Sequence, residues 1–332
     1  MHLQTKIVLQ KEVRNPISYS SKILLLGSCF SENIGKKLDY YQFQTVQNPF
    51  GIVFHPKAIE NCIVNATQQK VYTEEELVFQ NERWHCLDAH SSLSSVDQQE
   101  VVKQINTAIK TTDTALKEAN HLIITLGTAW VYRYAETNTI VANCHKIPQK
   151  KFTKTLLSVA EITKSLRKII TEIRKVNSGI QILFTVSPVR HLKDGFVENT
   201  RSKSHLIAAI HKLLEEETLT PKPNTKGGID YFPSYEIMMD ELRDYRFYEA
   251  DMIHPNTTAI QYIWERFSAT WIEKNTTATM QKVDQIQKGL SHRPFHADAE
   301  QHQKFLQNLS EKITQVTSEF SFMKFERKAQ ID

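Results

Sequence analysis

The sequence predicts a layered α/β domain built on a parallel sheet, and three observations carry that prediction. Residues 22–27 (KILLLG), 121–126 (HLIITL) and 180–186 (IQILFTV) are short, continuous apolar runs, the pattern of strands covered on both faces. The runs are bounded by glycine or polar residues, and the third is closed by Ser187-Pro188. Long stretches of helical periodicity separate them, and strands alternating with helices join through right-handed crossovers.

Each element follows from its own pattern. Residues 97–118 carry Val101, Val102, Ile105, Ala108 and Ile109 at helical spacing ahead of the second strand. Residues 156–175 repeat the pattern before the third, and 200–217 follow it. Gly227-Gly228 introduces a short strand over 229–232, stopped by Pro233. Residues 256–271 read as a helix with Asn256 or Thr257 as its cap. Ile260, Ile263, Trp264, Phe267 and Trp271 would form its inner face. Beyond about residue 275 the composition turns to Gln, Lys, Glu and His. There Phe305, Leu306, Leu309, Ile313 and Val316 mark an amphipathic helix that packs back on the domain or on a partner. The simplest division is one domain over 1–274 and a polar helical extension over 275–332, a possible route to self-association.

Composition narrows the function. The chain has 332 residues, 40% hydrophobic and 23% charged, with a formal net charge of +4, an ordinary globular balance. No dense Lys/Arg block with interleaved aromatics marks a nucleic-acid surface. Cys29, Cys62, Cys86 and Cys144 form no C-x-x-C pair, so reduced thiols are expected rather than a metal ribbon or a disulfide scaffold. No HExxH spacing argues for a metal, and no cofactor is expected. The opening MHLQTKIVLQKEVRNP has no apolar h-region, and no run of eighteen apolar residues occurs. The expectation is a cytoplasmic protein without a membrane partner.

Two stretches carry chemistry. Gly27-Ser28-Cys29 follows the first apolar run and enters a helical stretch. Side chains at the carboxyl ends of parallel strands collect at the ligand crevice, and a helix start favours developing negative charge. The same stretch also fits an ordinary serine helix cap. Downstream, Asp251-Met252-Ile253-His254-Pro255 puts a carboxylate three residues before an imidazole. A serine hydroxyl needs a base, and the base works better with its tautomer fixed by a carboxylate. Pro255 keeps His254 out of the following helix. A solvated Asp–His loop pair would look the same.

Taken together and in this order, the two stretches resemble the SGNH (GDSL-like) hydrolases. More narrowly, LLLGSCFSENIG resembles the GSCFA-domain proteins. Asn48-Pro49-Phe50-Gly51-Ile52-Val53-Phe54, Leu126-Gly127-Thr128-Ala129-Trp130, Asn143 to Pro148 and Thr185 to His191 are similar to further blocks of that family. So is the run from Tyr231 through Asp244 to Pro255, and the similarity spans roughly residues 20–270. The resemblance implies a three-layer α/β/α fold and a serine esterase or acyltransferase acting on a small-molecule or carbohydrate ester. On it Ser28 is the nucleophile, His254 the general base and acid, and Asp251 its orienting carboxylate. The backbone amides of Ser28 and Gly51 would form the oxyanion hole.

One departure stands out. Where SGNH hydrolases carry Gly-x-Asn-Asp, this chain has Gly127-Thr128-Ala129-Trp130, with alanine at the position of the Asn donor. Thr128 could offer a hydroxyl, or Gly127 or Thr128 an amide. Loss of one such donor costs about 10²–10³-fold in rate, so a weak or inactive module that binds a carbohydrate or other small ligand is the competing reading. Gly127, His90, His145 and Arg190 are further candidates for contact with substrate. Arg190 would grip an anionic group bidentately or pair with an acid in 236–251. Trp84-His85-Cys86 and His90-Ser91 read as a loop. Cys29, next to Ser28, is either a packing cysteine or a thiol activated by the helix start.

Overall fold

The computed structural model describes residues 4–219, 227–296 and 298–326. The chain opens with β1 (Lys22–Gly27), α1 (Cys29–Tyr40), β2 (Gln44–Gln47) and α2 (Pro56–Thr67). A hairpin of β3 (Leu77–Gln80) and β4 (Arg83–Cys86) follows, then α3 (Gln98–Glu118) and β5 (His121–Leu126). Next come β6 (Trp130–Tyr134), β7 (Thr139–Val141), β8 (Phe152–Leu156), α4 (Val159–Val176) and β9 (Gln181–Val186). The domain closes with α5 (Phe196–Leu219), β10 (Ile229–Phe232), a single turn α6 (Ser234–Glu236) and α7 (Thr257–Trp271). Two helices, α8 (Thr277–Ser291) and α9 (Glu300–Glu319), end it.

Five strands form one parallel sheet in the order β10-β9-β5-β1-β2. Ile23–Gly27 runs beside His121–Thr125, and His121–Leu126 beside Gln181–Val186. The apolar runs are buried on both faces because alternate side chains leave a strand on opposite sides. Leu24, Leu26, Leu122, Ile124, Ile182 and Phe184 pack with α2–α5 in one core. Ile23, Leu25, Ile123 and Leu183 pack with α1, α7 and the C-terminal helices in the other. The result is three layers, helix on sheet on helix, around a mostly parallel sheet.

The expected elements appear with local differences. Asp97 caps α3 by accepting from Gln99, and Asn256 caps α7 by accepting from Ala259 at 3.1 Å. The helix expected over 156–175 starts at Val159, behind a Ser158–Glu161 capping box, because 152–156 are taken up as β8 against β6. Trp84-His85-Cys86, expected in a loop, are strand residues of the β3–β4 hairpin. The segment 130–156 forms a small antiparallel sheet in the order β7-β6-β8. The apolar stripe of the tail packs back on the domain: Leu309 and Val316 are buried in the core that holds Tyr19, Phe43 and Trp264. Among the described residues, no helix is long and apolar enough to cross a membrane.

Candidate active site

Strand order decides where a site forms. The chain leaves β1 for β2 on one side and returns to β5 on the other. The helices that follow β1 and β5 lie on opposite faces, α1 in one core and α4 in the other, so a crevice opens between the two strand ends. Ser28 stands at the end of β1 and Gly127-Thr128 at the end of β5. Gly27 has φ +138°, and a Cβ there would overlap the Thr125 carbonyl. Only glycine brings β1 this close to its neighbour before the chain turns into α1.

Ser28 is the N-cap of α1 and is 1% exposed. Its N–H donates to the Thr125 carbonyl at 3.1 Å, and its Oγ accepts from the Phe30 N–H at 3.3 Å. Capping occupies a lone pair and leaves the hydroxyl proton free to be donated. Cys29, the adjacent thiol, is pushed up from its ordinary pKa by burial first and then by Glu32. It is a packing residue at the edge of the core, and that burial disfavours the thiolate.

The second stretch forms a tight loop. Glu249 N–H donates to the His254 carbonyl and Asn256 N–H to the Phe247 carbonyl, at 2.8 and 2.9 Å. Within it Asp251 Oδ1 accepts the N–H groups of Ile253 and His254, while Oδ2 lies 2.7 Å from His254 Nδ1. These bonds hold the Asp251 carboxyl down to about 2, the backbone bond of His254 contributing most. An ionised carboxylate only accepts, so Nδ1 carries the proton and Nε2 is left as the basic nitrogen. Both side chains are about half exposed. The loop is tied to the sheet edge through Arg190 N–H, which donates to the Ile253 carbonyl at 3.2 Å. Ser28 and the Asp251–His254 pair thus occupy the same carboxyl edge, without a direct hydrogen bond between them among the described residues.

The other candidates divide. Gly51 (φ +70°) lies against the His90 Cβ, and its N–H closes a turn on the Asn48 carbonyl at 2.7 Å. The Ser28 and Gly51 amides, expected as open donors, are therefore both engaged within the chain. Gly127 N–H is engaged too, on the Phe54 carbonyl at 2.7 Å. Thr128 Oγ1 pairs with Ser202 Oγ and accepts from the Trp130 N–H. The Thr128 N–H has no acceptor among the described residues. A cavity of ≈ 340 Å³ beneath the small sheet is lined by Thr128, His90, Phe54, His191, Trp130 and Tyr132, among others.

His145 does not line that cavity. It is buried, stacks on His85 and bonds the Cys86 carbonyl through Nε2, and burial takes its pKa down to about 4. Arg190 pairs with no acid among the described residues. Its guanidinium sits 4.1 Å from the Tyr248 ring centre and 5.1 Å from that of Tyr245, a stacking that leaves in-plane N–H groups available. Larger cavities, ≈ 770 Å³ under residues 7–14 and ≈ 510 Å³ between α3 and β2, do not include the candidate residues.

Three buried residues of α5 hold the segments that follow β5 and β9 and were not singled out from sequence. Asn199 Oδ1 accepts the His191 N–H, and Ser202 Oγ accepts the Ala129 N–H at 2.7 Å. Lys203, 1% exposed, donates to the carbonyls of Gly127 and Ser187, each at 2.7 Å. Burial lowers its pKa to about 7. The signal was present: the buried stripe Leu206, Ala209, Ile210 and Leu213, continued one and two turns toward the N-terminus, lands on these polar side chains. His191 stacks on Phe54 with centroids 5.2 Å apart. Burial, then the Lys203 and His254 charges, lowers it to about 3, so it stays neutral.

The fold and these residues define a parallel α/β protein whose serine and Asp–His pair share the carboxyl edge of the sheet. A model of the GSCFA family matches residues 22–267, and the chain belongs to that family. A model described as the GSCFA domain protein C-terminal domain matches residues 283–331. No curated protein matches the chain. Among solved structures the chain is similar to a carbohydrate esterase family 3 from Talaromyces cellulolyticus. The identity is 7% over 81% of this chain and 98% of that one, with a TM-score of 0.34, which carries no argument about function.

Proposed function

We propose that the protein is a serine hydrolase or acyltransferase acting on an ester, such as an O-acyl group on a carbohydrate. Ser28 Oγ attacks the acyl carbon while His254 Nε2 takes its proton. The carbonyl electron pair moves onto oxygen, and the Thr128 amide, the uncommitted backbone donor among the candidates, faces that charge. Collapse expels the alcohol, protonated by His254, and leaves an acyl group on Ser28. Water, or an acceptor alcohol, then repeats the sequence in reverse. The aromatic and histidine walls beside Thr128 suit a sugar ring or acyl chain, and Arg190 offers donors to an anionic substituent. No metal or cofactor enters this reading.

The observation that carries it is the 2.7 Å Asp251–His254 contact, with Nε2 unpaired among the described residues, on the same sheet edge as a serine whose proton is uncommitted. A fluorophosphonate probe should label wild type and leave Ser28→Ala unlabelled. Labelling that survives Ser28→Ala and disappears in Cys29→Ala would overturn the assignment.

A binding module on the same scaffold is the second reading. What favours it is Ser28 itself, 1% exposed with its Oγ engaged as a helix cap. On that reading acetylated sugars bind equally to wild type and Ser28→Ala in calorimetry, and neither turns over.

A further inference from the structure

Asn48 has an unusual polar arrangement at this edge. It follows β2, on the opposite side of Ser28 from Thr128. Its backbone lies in the left-handed region at φ +39°, which asparagine tolerates better than most side chains. Three of its four polar groups hold it there. The N–H donates to the Leu25 carbonyl at 2.9 Å, the carbonyl accepts from Gly51 at 2.7 Å, and Oδ1 accepts from the Gly27 N–H at 2.8 Å. The fourth, the Nδ2 amide, is buried and has no partner among the described residues. A buried donor left unpaired is destabilising, and such an atom calls for an explanation.

Its surroundings supply one. Asn48 lines a niche of ≈ 10 Å³ with Gly27, Gly51 and apolar core residues that include Leu26, Phe50 and Val53, the scale of a single oxygen-sized occupant. The bond from Gly27 fixes the carboxamide plane one residue before the candidate nucleophile. The chain lacks an asparagine donor after β5, where Ala129 stands, and the Ser28 and Gly51 amides are engaged. We propose that the Asn48 side-chain amide is an oxyanion donor of this protein, delivered from the strand on the far side of Ser28. This rests on the serine-hydrolase reading, and it assigns a catalytic role to a residue that touches the reacting oxygen through Nδ2–H. A structural water in the niche is the competing occupant; it would make Asn48 a matter of stability alone.

The experiment separates the two levels. Wild type is first treated with the fluorophosphonate, with Ser28→Ala as control. Absence of Ser28-dependent labelling sinks the hydrolase reading, and the Asn48 assignment with it. Given labelling, Asn48→Asp keeps the oxygen that accepts from Gly27 and replaces the donor with an acceptor. The second-order rate of phosphonylation should fall about 10²–10³-fold, the usual cost of one oxyanion donor. With a p-nitrophenyl ester the loss should appear in kcat with KM little changed. Asn48→Gly, which accepts the left-handed backbone, should show the same fall should the aspartate variant fail to fold. Labelling of folded Asn48→Asp or Asn48→Gly at the wild-type rate overturns the assignment and leaves the hydrolase reading standing.

Discussion

Replacing Lys203 with methionine should change the way stability depends on pH. The amine is fully enclosed, with the Gly127 and Ser187 carbonyls as its hydrogen-bond acceptors, and the titratable groups around it are Cys29, His191 and Tyr235. Burial lowers it from 10.5 to about 7. Below that value the folded and unfolded states both carry the proton, and the cost of the buried charge is present in full. From about 7 to 10.5 the unfolded chain is protonated and the folded protein is not, so stability rises with pH by about 1.4 kcal/mol per unit. Above 10.5 both are neutral and the gain stops. The neutral amine keeps two N–H groups for its two carbonyls.

Methionine abolishes that titration and leaves both carbonyls unpaired, at about 1–3 kcal/mol each. Near pH 7 the two changes roughly cancel. At pH 10 the variant should be the less stable by several kcal/mol, and wild type should gain about 4 kcal/mol relative to it between the two pH values. Urea unfolding of both proteins at unit pH intervals measures this difference, and subtraction removes the tyrosines and cysteines common to both. A wild-type-minus-variant difference that stays constant from pH 7 to 10 would refute the reasoning.

Three further outcomes follow from the geometry. Asp251→Asn removes the carboxylate that sets the His254 tautomer, and should slow fluorophosphonate labelling about 10²–10⁴-fold with the melting temperature little changed; labelling at the wild-type rate would contradict the dyad. Gly27→Ala forces a Cβ into the Thr125 carbonyl at φ +138° and should destabilise by more than about 4 kcal/mol in chemical denaturation, or prevent folding. Leu309→Ala hollows the contact where α9 meets Gly289 of α8 and should cost about 2–5 kcal/mol without altering labelling of the folded protein.

Much of this protein was legible in its sequence because the physics involved is local. Runs such as 23–26 are apolar at every position, and a strand with no polar face has to be covered on both sides. The cap Asn256 sits three residues before the amide it accepts from. Asp251 and His254 meet within one loop, so three residues of spacing suffice to forecast their contact. Tertiary structure decided what depends on the neighbour across the sheet. Whether the Ser28 amide is open was set by where the Thr125 carbonyl falls. The burial of Lys203 and the unpaired Nδ2 of Asn48 follow from the packing of α5 and from the meeting of β1 with β2. Residues 130–156 became a separate antiparallel sheet through pairings no single segment specifies. A side chain's type is written in the chain, but whether its hydrogen bonds are already spent is known only once distant partners have been brought within 3 Å.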